Sequence, residues 1–280
     1  MKKPTEVVAE PRHSAVPSTE ALVAYPVAVD HLPDKVLSEG RYEVCFARTE
    51  AQLDEVLRLR FEIFNVELGE GLDESWETRR DRDPFDAVCH HLIVLERSSQ
   101  RIVGTYRMQT TRMARDHLGL YSSAEFDLSA VPKGIMDHAV EVGRACVAED
   151  HRNTQVLFLL WKGLALYMAH NGLRFLFGCC SLTSQDPGEG KAVMDHLAEN
   201  GHLHPELTLY PQPGFECYDL ENPPTWDGKV KIPKLFRIYL RHGGKVCGPP
   251  AIDREFKTID YLVLFDVTAL DEKKARAFFA

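Results

Sequence analysis

The chain alternates between two kinds of apolar spacing. Period-two runs, the mark of half-buried strands, occur at 42–49 (YEVCFART), 90–97 (HHLIVLER), 101–110 (RIVGTYRMQT), 138–147 (HAVEVGRACV), 174–182 (RFLFGCCSL) and 261–267 (YLVLFDV). Helical spacing follows Thr49, where Leu53, Val56, Leu57, Leu59, Ile63 and Phe64 form one stripe. Thr49 and Gln52 have the spacing of a capping box. A second helix is expected from Val156 to about Asn171, ended by Gly172, and a third from Asp186 to Asn200. The order β-α-β-β-β-α-β followed by further elements predicts a mixed α/β fold. Residues 1–38 carry five prolines and no sustained period, so they read as a disordered leader to a single domain over 39–280, with additions at 185–258.

Within this pattern one strand is odd. EVGRACV, residues 141–147, places Glu141 and Arg144 inside an apolar run. In a regular strand they point to opposite faces, and Gly143 between them is where a bulge could re-aim one of them. A carboxylate in such a place is either a general base or half of a buried ion pair with Arg107 or Arg144. The strand ends where the helix after Arg152 begins. A helix start offers free N–H groups and a positive dipole end to a phosphate, and Arg152 adds a formal charge there.

Composition narrows the partners. With 33 Lys and Arg against 42 Asp and Glu, the net charge of −9 argues against nucleic acid. The 7 cysteines form no CxxC pair, so reduced thiols in a cytoplasm are expected, and no zinc ribbon. His90–His91 and His202–Leu203–His204 lack a third ligand at metal spacing, so no metal is expected. The longest apolar run, 156–169, contains Lys162 and is too short to span a bilayer. The stretch 228–245 interleaves Lys229, Lys231, Lys234, Arg237, Arg241 and Lys245 with Ile232, Leu235, Phe236 and Tyr239. Such a segment suits an anionic lipid surface (peripheral membrane contact), an acidic protein, or the chain's own core.

The stretches LRLRFEIFNVELG, DRDPFDAVCHHLIV, IVGTYRMQT, EVGRACVAEDHR, LLWKGLALYM, LFGCCSL and YLRHGGKVCGPPAIDREFKTIDYLVLFDV resemble, in order, the bacterial ornithine-acyl carrier protein N-acyltransferases. These are GNAT-superfamily enzymes, once called hemolysin-like, and cousins of the acyl-homoserine-lactone and N-acyl amino acid synthases. The resemblance implies a mixed, mostly antiparallel GNAT sheet flanked by helices, with a C-terminal extension. It implies transfer of a long-chain 3-hydroxyacyl group from acyl carrier protein to the α-amine of ornithine, the opening step of ornithine-lipid synthesis. The donor would be a phosphopantetheine thioester used as co-substrate, with no permanently bound cofactor. Because RNTQV, 152–156, lacks the glycines of the usual coenzyme loop, a single phosphodiester suits it better than coenzyme A.

The resemblance also assigns roles. Glu141, with Asp83 and Asp86, would be catalytic. Arg60, Arg107 and Arg144 would bind the acceptor, and Cys146, Val147 and Arg152 the donor arm. Cys146 is expected to act through backbone N–H rather than as a nucleophile, since a thiol on a buried strand is usually a small hydrophobe. Alternatives are an N-acyl amino acid or acyl-homoserine-lactone-type synthase, and a non-catalytic lipid-surface binding protein.

Overall fold

The computed structural model describes residues 25–270. Its strands are β1 (Leu37–Glu39), β2 (Tyr42–Phe46), β3 (His90–Glu96), β4 (Ile102–Thr110), β5 (Ala139–Val147), β6 (Phe175–Leu182), β7 (Lys245–Val246), β8 (Ala251–Asp253) and β9 (Thr258–Asp266). The helices are α1 (Glu50–Phe61), α2 (Ser75–Thr78), α3 (Thr111–Asp116), α4 (Lys133–Met136), α5 (Thr154–His170), α6 (Pro187–Glu199) and α7 (Lys234–Arg241). One nine-stranded sheet runs β1-β2-β3-β4-β5-β6-β9-β7, with β8 also pairing β9. Every pairing is antiparallel except β5 with β6.

The three long helices lie where the apolar stripes place them. Thr49 caps α1 by accepting from the Gln52 amide, but the Gln52 side chain reaches the amide of Arg48 rather than that of Thr49. After Phe61 the helix widens into a π turn, Glu62–Glu67, which the periodicity did not announce. Asn153 caps α5 and Asp186 caps α6. The disorder expected over 1–38 does not hold for residues 25–38. Residues 1–24 lie outside the described residues, whereas Val27 and Leu32 are buried and β1 starts at Leu37. The cause is local: His90 contacts the Val27 carbonyl, which anchors a proline-rich segment lacking its own periodicity.

Alternation along the strands defines two faces. His90 and His91 are neighbours and point oppositely. His90 meets Tyr167 of α5, while His91 meets Asp86, which holds Arg60 of α1. So α5 covers one face and α1 the other. On β6 and β9 the same alternation sorts Leu176, Tyr261, Val263 and Phe265 into the large core with α5, and Phe177, Leu262 and Leu264 into a smaller one with Phe126.

The sheet is open at one place. β5 and β6 pair only over Ala139–Glu141 with Phe175–Phe177. At the next step they still touch, since a Cβ on Gly178 would stand 2.0 Å from the Val142 carbonyl oxygen. Beyond it β6 stays with β9 through Leu182 and β5 stays with β4 through Val147. The parallel pair therefore splays into a V.

Candidate active site

Six charged side chains interlock beside β5. Arg60 bonds Asp81 at 2.7 Å and Asp86 at 2.6 Å. Arg107 bonds both oxygens of Asp83 at 2.6 Å and Asp86 at 3.0 Å. Arg144 reaches Asp83 at 3.2 Å and Asp81 at 3.4 Å. Three guanidiniums thus balance three carboxylates, all of them buried or nearly so. Asp83 and Asp86 also form a reciprocal capping box around Pro84–Ala87, which fixes the loop that carries them. Burial alone would raise Asp86, but Arg60 and Arg107 overcome it and hold the carboxyl well below its ordinary range. Arg107 does the same for Asp83 against burial. Both aspartates are anions that fix arginines of this network.

The expected bulge is present, one residue late. Between Thr105 and Arg107 of β4 the partner residues jump from Cys146 to Gly143, and the left-handed backbone falls on Arg144, at φ +50°. A non-glycine residue there costs on the order of 1–3 kcal/mol, which must be offset by its contacts. Arg144 has them: Asp83, the Tyr121 hydroxyl at 3.2 Å, and the Phe256 ring with its centroid 4.1 Å from the guanidinium carbon. The bulge brings Arg144 to the same cavity as Glu141.

Glu141 is not in an ion pair with Arg107 or Arg144. Its Oε1 accepts from the Ser122 amide (2.7 Å) and hydroxyl (2.6 Å). Its Oε2 accepts from Gln109 Nε2 (2.7 Å) and the Tyr121 amide (2.9 Å). Four donors replace the water lost on burial, so an isolated carboxylate can persist with 5% of its surface exposed.

The three residues assigned to the donor arm sit at the far end of β5. Burial pushes the Cys146 thiol up to about 12, so it is neutral and no nucleophile. The Ala148 amide bonds the Val103 carbonyl of β4. Antiparallel alternation then turns the Val147 amide and carbonyl toward the side that β6 has left. Arg152 donates to that Val147 carbonyl at 3.1 Å and forks onto both oxygens of Glu67 at 2.5 Å. A carboxylate thus occupies the fork that the sequence reserved for a phosphate.

Sequence reasoning missed part of the site. Asp81 lies one strand period before Asp83. Gln109, Tyr121 and Ser122 have no local signature. Glu70, Glu125, Asp253 and Asp260 also line the cavity. Carboxylate oxygens of Glu125, Asp253 and Asp260 lie within 4.8 Å of one another. Asp260 did offer a signal: like Glu141, it is an acid inside an otherwise apolar strand.

A cavity of about 320 Å³ fills the V and touches both faces of the sheet. On the α5 face it meets Leu176, Val263, Tyr106, Leu235, Phe236 and Tyr239; on the α1 face, Glu141, Ser122, Glu125, Asp253, Asp260 and Arg144. The cavity passes through the sheet, apolar on one side and acidic on the other. Such a passage can hold two groups that approach the strand edge from opposite faces of the sheet.

A mixed sheet splayed at its one parallel pair, with a cavity in the splay, defines a GNAT-type acyltransferase. The acetyltransferase (GNAT) domain model matches residues 59–162. The chain belongs to the L-ornithine N(alpha)-acyltransferase family. It is 32% identical over 243 residues to that enzyme of Rhodobacter capsulatus, covering 83% of this chain and 92% of the relative. It is 30% identical over 239 residues to that of Rhizobium meliloti, covering 80% of each. A solved CoA-dependent acyl-homoserine lactone synthase superposes with a TM-score of 0.42 at 15% identity, over 82% of this chain and 81% of that one.

Proposed function

We propose that this N-acyltransferase moves a long-chain 3-hydroxyacyl group from the phosphopantetheine thiol of acyl carrier protein to the α-amine of ornithine, the first step in making an ornithine lipid. The passage through the sheet carries this reading: its apolar side suits a fatty chain and its acidic side suits a dibasic amino acid. The neutral α-amine attacks the thioester carbonyl, the C–N bond forms, the C–S bond breaks, and the thiolate leaves with the proton shed by nitrogen. A thioester is already activated, so placement and proton removal carry the rate. Glu141 is the anion nearest the strand edge on the acceptor side. It holds the ammonium and accepts its proton directly or through water. The Val147 amide, free of β4, is the donor we assign to the carbonyl oxygen as it gains charge. Arg144 supplies the counter-charge for the acceptor carboxylate.

The carrier protein is favoured over a membrane by α7. Phe236, Tyr239 and Leu240 are buried, so the apolar side of this helix belongs to the core and the cavity wall. Lys229, Lys231, Lys234, Arg237 and Arg241 remain exposed beside it. A cationic surface without an apolar face complements an acidic protein more than it anchors in lipid. No described helix is long and apolar enough to cross a membrane.

The test is direct. Purified protein is mixed with ornithine and a 3-hydroxyacyl thioester on acyl carrier protein or, in a parallel arm, on coenzyme A. Free thiol and N-acylornithine are followed together. Release faster from the carrier protein supports the reading. No release with ornithine, or none with any amino acid alongside tight liposome binding, overturns it.

A further inference from the structure

The acidic wall contains more charge than a single amine needs. Glu125, Asp253 and Asp260 present carboxylate oxygens within 4.8 Å of one another, all three residues buried. Glu125 and Asp260 hydrogen-bond each other, and the other partners of the three are weak or neutral. Asp260 takes the hydroxyls of Ser181 and Thr258, Asp253 takes the amides of Glu255 and Phe256, and Glu125 takes the Cys179 thiol at 3.9 Å. Arg107 and Arg144 are the cations of the cavity among the described residues, and the ion pairs they make are with the aspartates at 81, 83 and 86. Three adjacent carboxyls in low dielectric either share protons or await a cation.

A separate observation points to a ligand. Gln109 is 2% exposed and lies on the same wall, and its Oε1 has no hydrogen-bond partner. Its orientation is fixed, because Nε2 must face Glu141 and the Gly119 carbonyl; turned over, the amide would set oxygen against carboxylate. A buried orphan acceptor in the cavity that these acids line calls for a molecule that donates.

We infer that Glu125, Asp253 and Asp260 form the pocket for the side-chain ammonium of the acceptor amino acid, and so select a dibasic acceptor. The inference rests on the reading of the cavity as an acceptor site and deepens it. Spacing supports it. Glu141 Oε1 contacts Ser122 Oγ at 2.6 Å, Ser122 Oγ contacts Cys179 Sγ at 4.0 Å, and Cys179 Sγ contacts Glu125 at 3.9 Å. The two nitrogens of an extended five-carbon diamino acid, joined through five single bonds, stand about 6 Å apart. With a hydrogen bond added at each end, that molecule reaches from Glu141 to the three acids. Burial, with Asp260 and Asp253 beside it, raises Glu125 well above its ordinary range.

The experiment measures kcat/KM for ornithine and for norvaline, which has the same carbon chain but no δ-amine. The wild type is compared with Glu125→Gln, Asp260→Asn and the double variant, with thermal unfolding as the control for folding. The wild type should prefer ornithine by at least about a hundredfold, since a site built to bond an N–H rejects the analogue lacking it. The double variant should lose most of that preference, with norvaline turnover retained or improved. Three results overturn the inference: both substrates falling together in folded variants; an unchanged ratio; or wild-type activity abolished by a chelator and restored by Mg²⁺ or Ca²⁺, which makes the acids a metal site. A ratio that stays unchanged while ornithine is acylated sinks the inference alone. If the wild type acylates only acceptors without a side-chain cation, the ornithine reading fails as well.

Discussion

Ser122 and Glu141 are joined twice, the amide and the hydroxyl of the serine both closing on Oε1 at 2.7 and 2.6 Å. The loop after α3 is thereby tied to β5, and the carboxylate is fixed at the edge of the V. Glu141→Gln keeps the size but turns an NH₂ toward donors. Acyl transfer should fall by about a hundred- to ten-thousandfold in kcat. Thermal unfolding should show a loss of about 1–3 kcal/mol from the unmatched donors. Wild-type turnover in a folded Glu141→Gln protein removes Glu141 from the chemistry.

Gly143 stands at the mouth of the V, and a Cβ built there meets nothing within 4 Å. Gly143→Val should therefore fold with a stability change within about 1 kcal/mol, the usual range away from packed or strained sites. Its side chain projects into space the acyl arm needs, so KM for the thioester should rise at least about tenfold. Equal KM values for the two proteins would place the donor elsewhere.

Arg60 is fully buried between Asp81 and Asp86, so its removal strands two carboxylates. Arg60→Ala should cost about 3–5 kcal/mol, the typical penalty for halving a buried pair. Chemical denaturation measures it, and a cost below 1 kcal/mol would mean that water enters the network.

Six strands were legible from period-two spacing and the start of α1 from Thr49 as a cap, whereas β1, β7 and β8 are too short to carry a period. Glu141 and Arg144 stood out as charges in an apolar strand. What the sequence hid depends on long-range register. Gly143 was the natural host for a bulge, yet the left-handed residue is Arg144, because pairing with β4 sets the position and Asp83, Tyr121 and Phe256 offset the strain. Asp253 and Asp260 meet Glu125 only because β8 and β9 return to the sheet late in the chain. The V is a pairing that stops, and spacing along one strand does not encode where its neighbour departs.

Acidity should act on the two groups of acids in opposite senses. Burial raises Asp260 from its ordinary 3.8 to about 6, so the folded state holds that proton more tightly than the unfolded one. Stability is therefore lost as pH rises between those values. Asp83 and Asp86 are lowered, so their contribution is present above the unfolded value and lost as pH falls below it. Asp260→Asn should raise the melting temperature at pH 8, at about 2–4 °C per kcal/mol, and change it little at pH 4. The reverse pattern in calorimetric scans would show that Asp260 is ionised and stabilised in the free protein.

Arg152 forks onto Glu67 at the β5–α5 junction, so a phosphate must displace a carboxylate to be held there. Arg152→Ala should raise KM for the carrier-bound thioester several-fold and leave kcat nearly unchanged, the signature of binding shared by ground and transition states. Glu67→Gln should lower that KM. Unchanged values in both variants would free the junction from any part in donor binding.

The opening between β5 and β6 has one further effect. A newly made amide would have its head group on one side of the sheet and its tail on the other, like a thread through a needle's eye. If the proposed reaction holds, unbranched tails would lie along such an opening and branched ones would meet its walls, so the gap that brings the reactants together would also sort tails by shape.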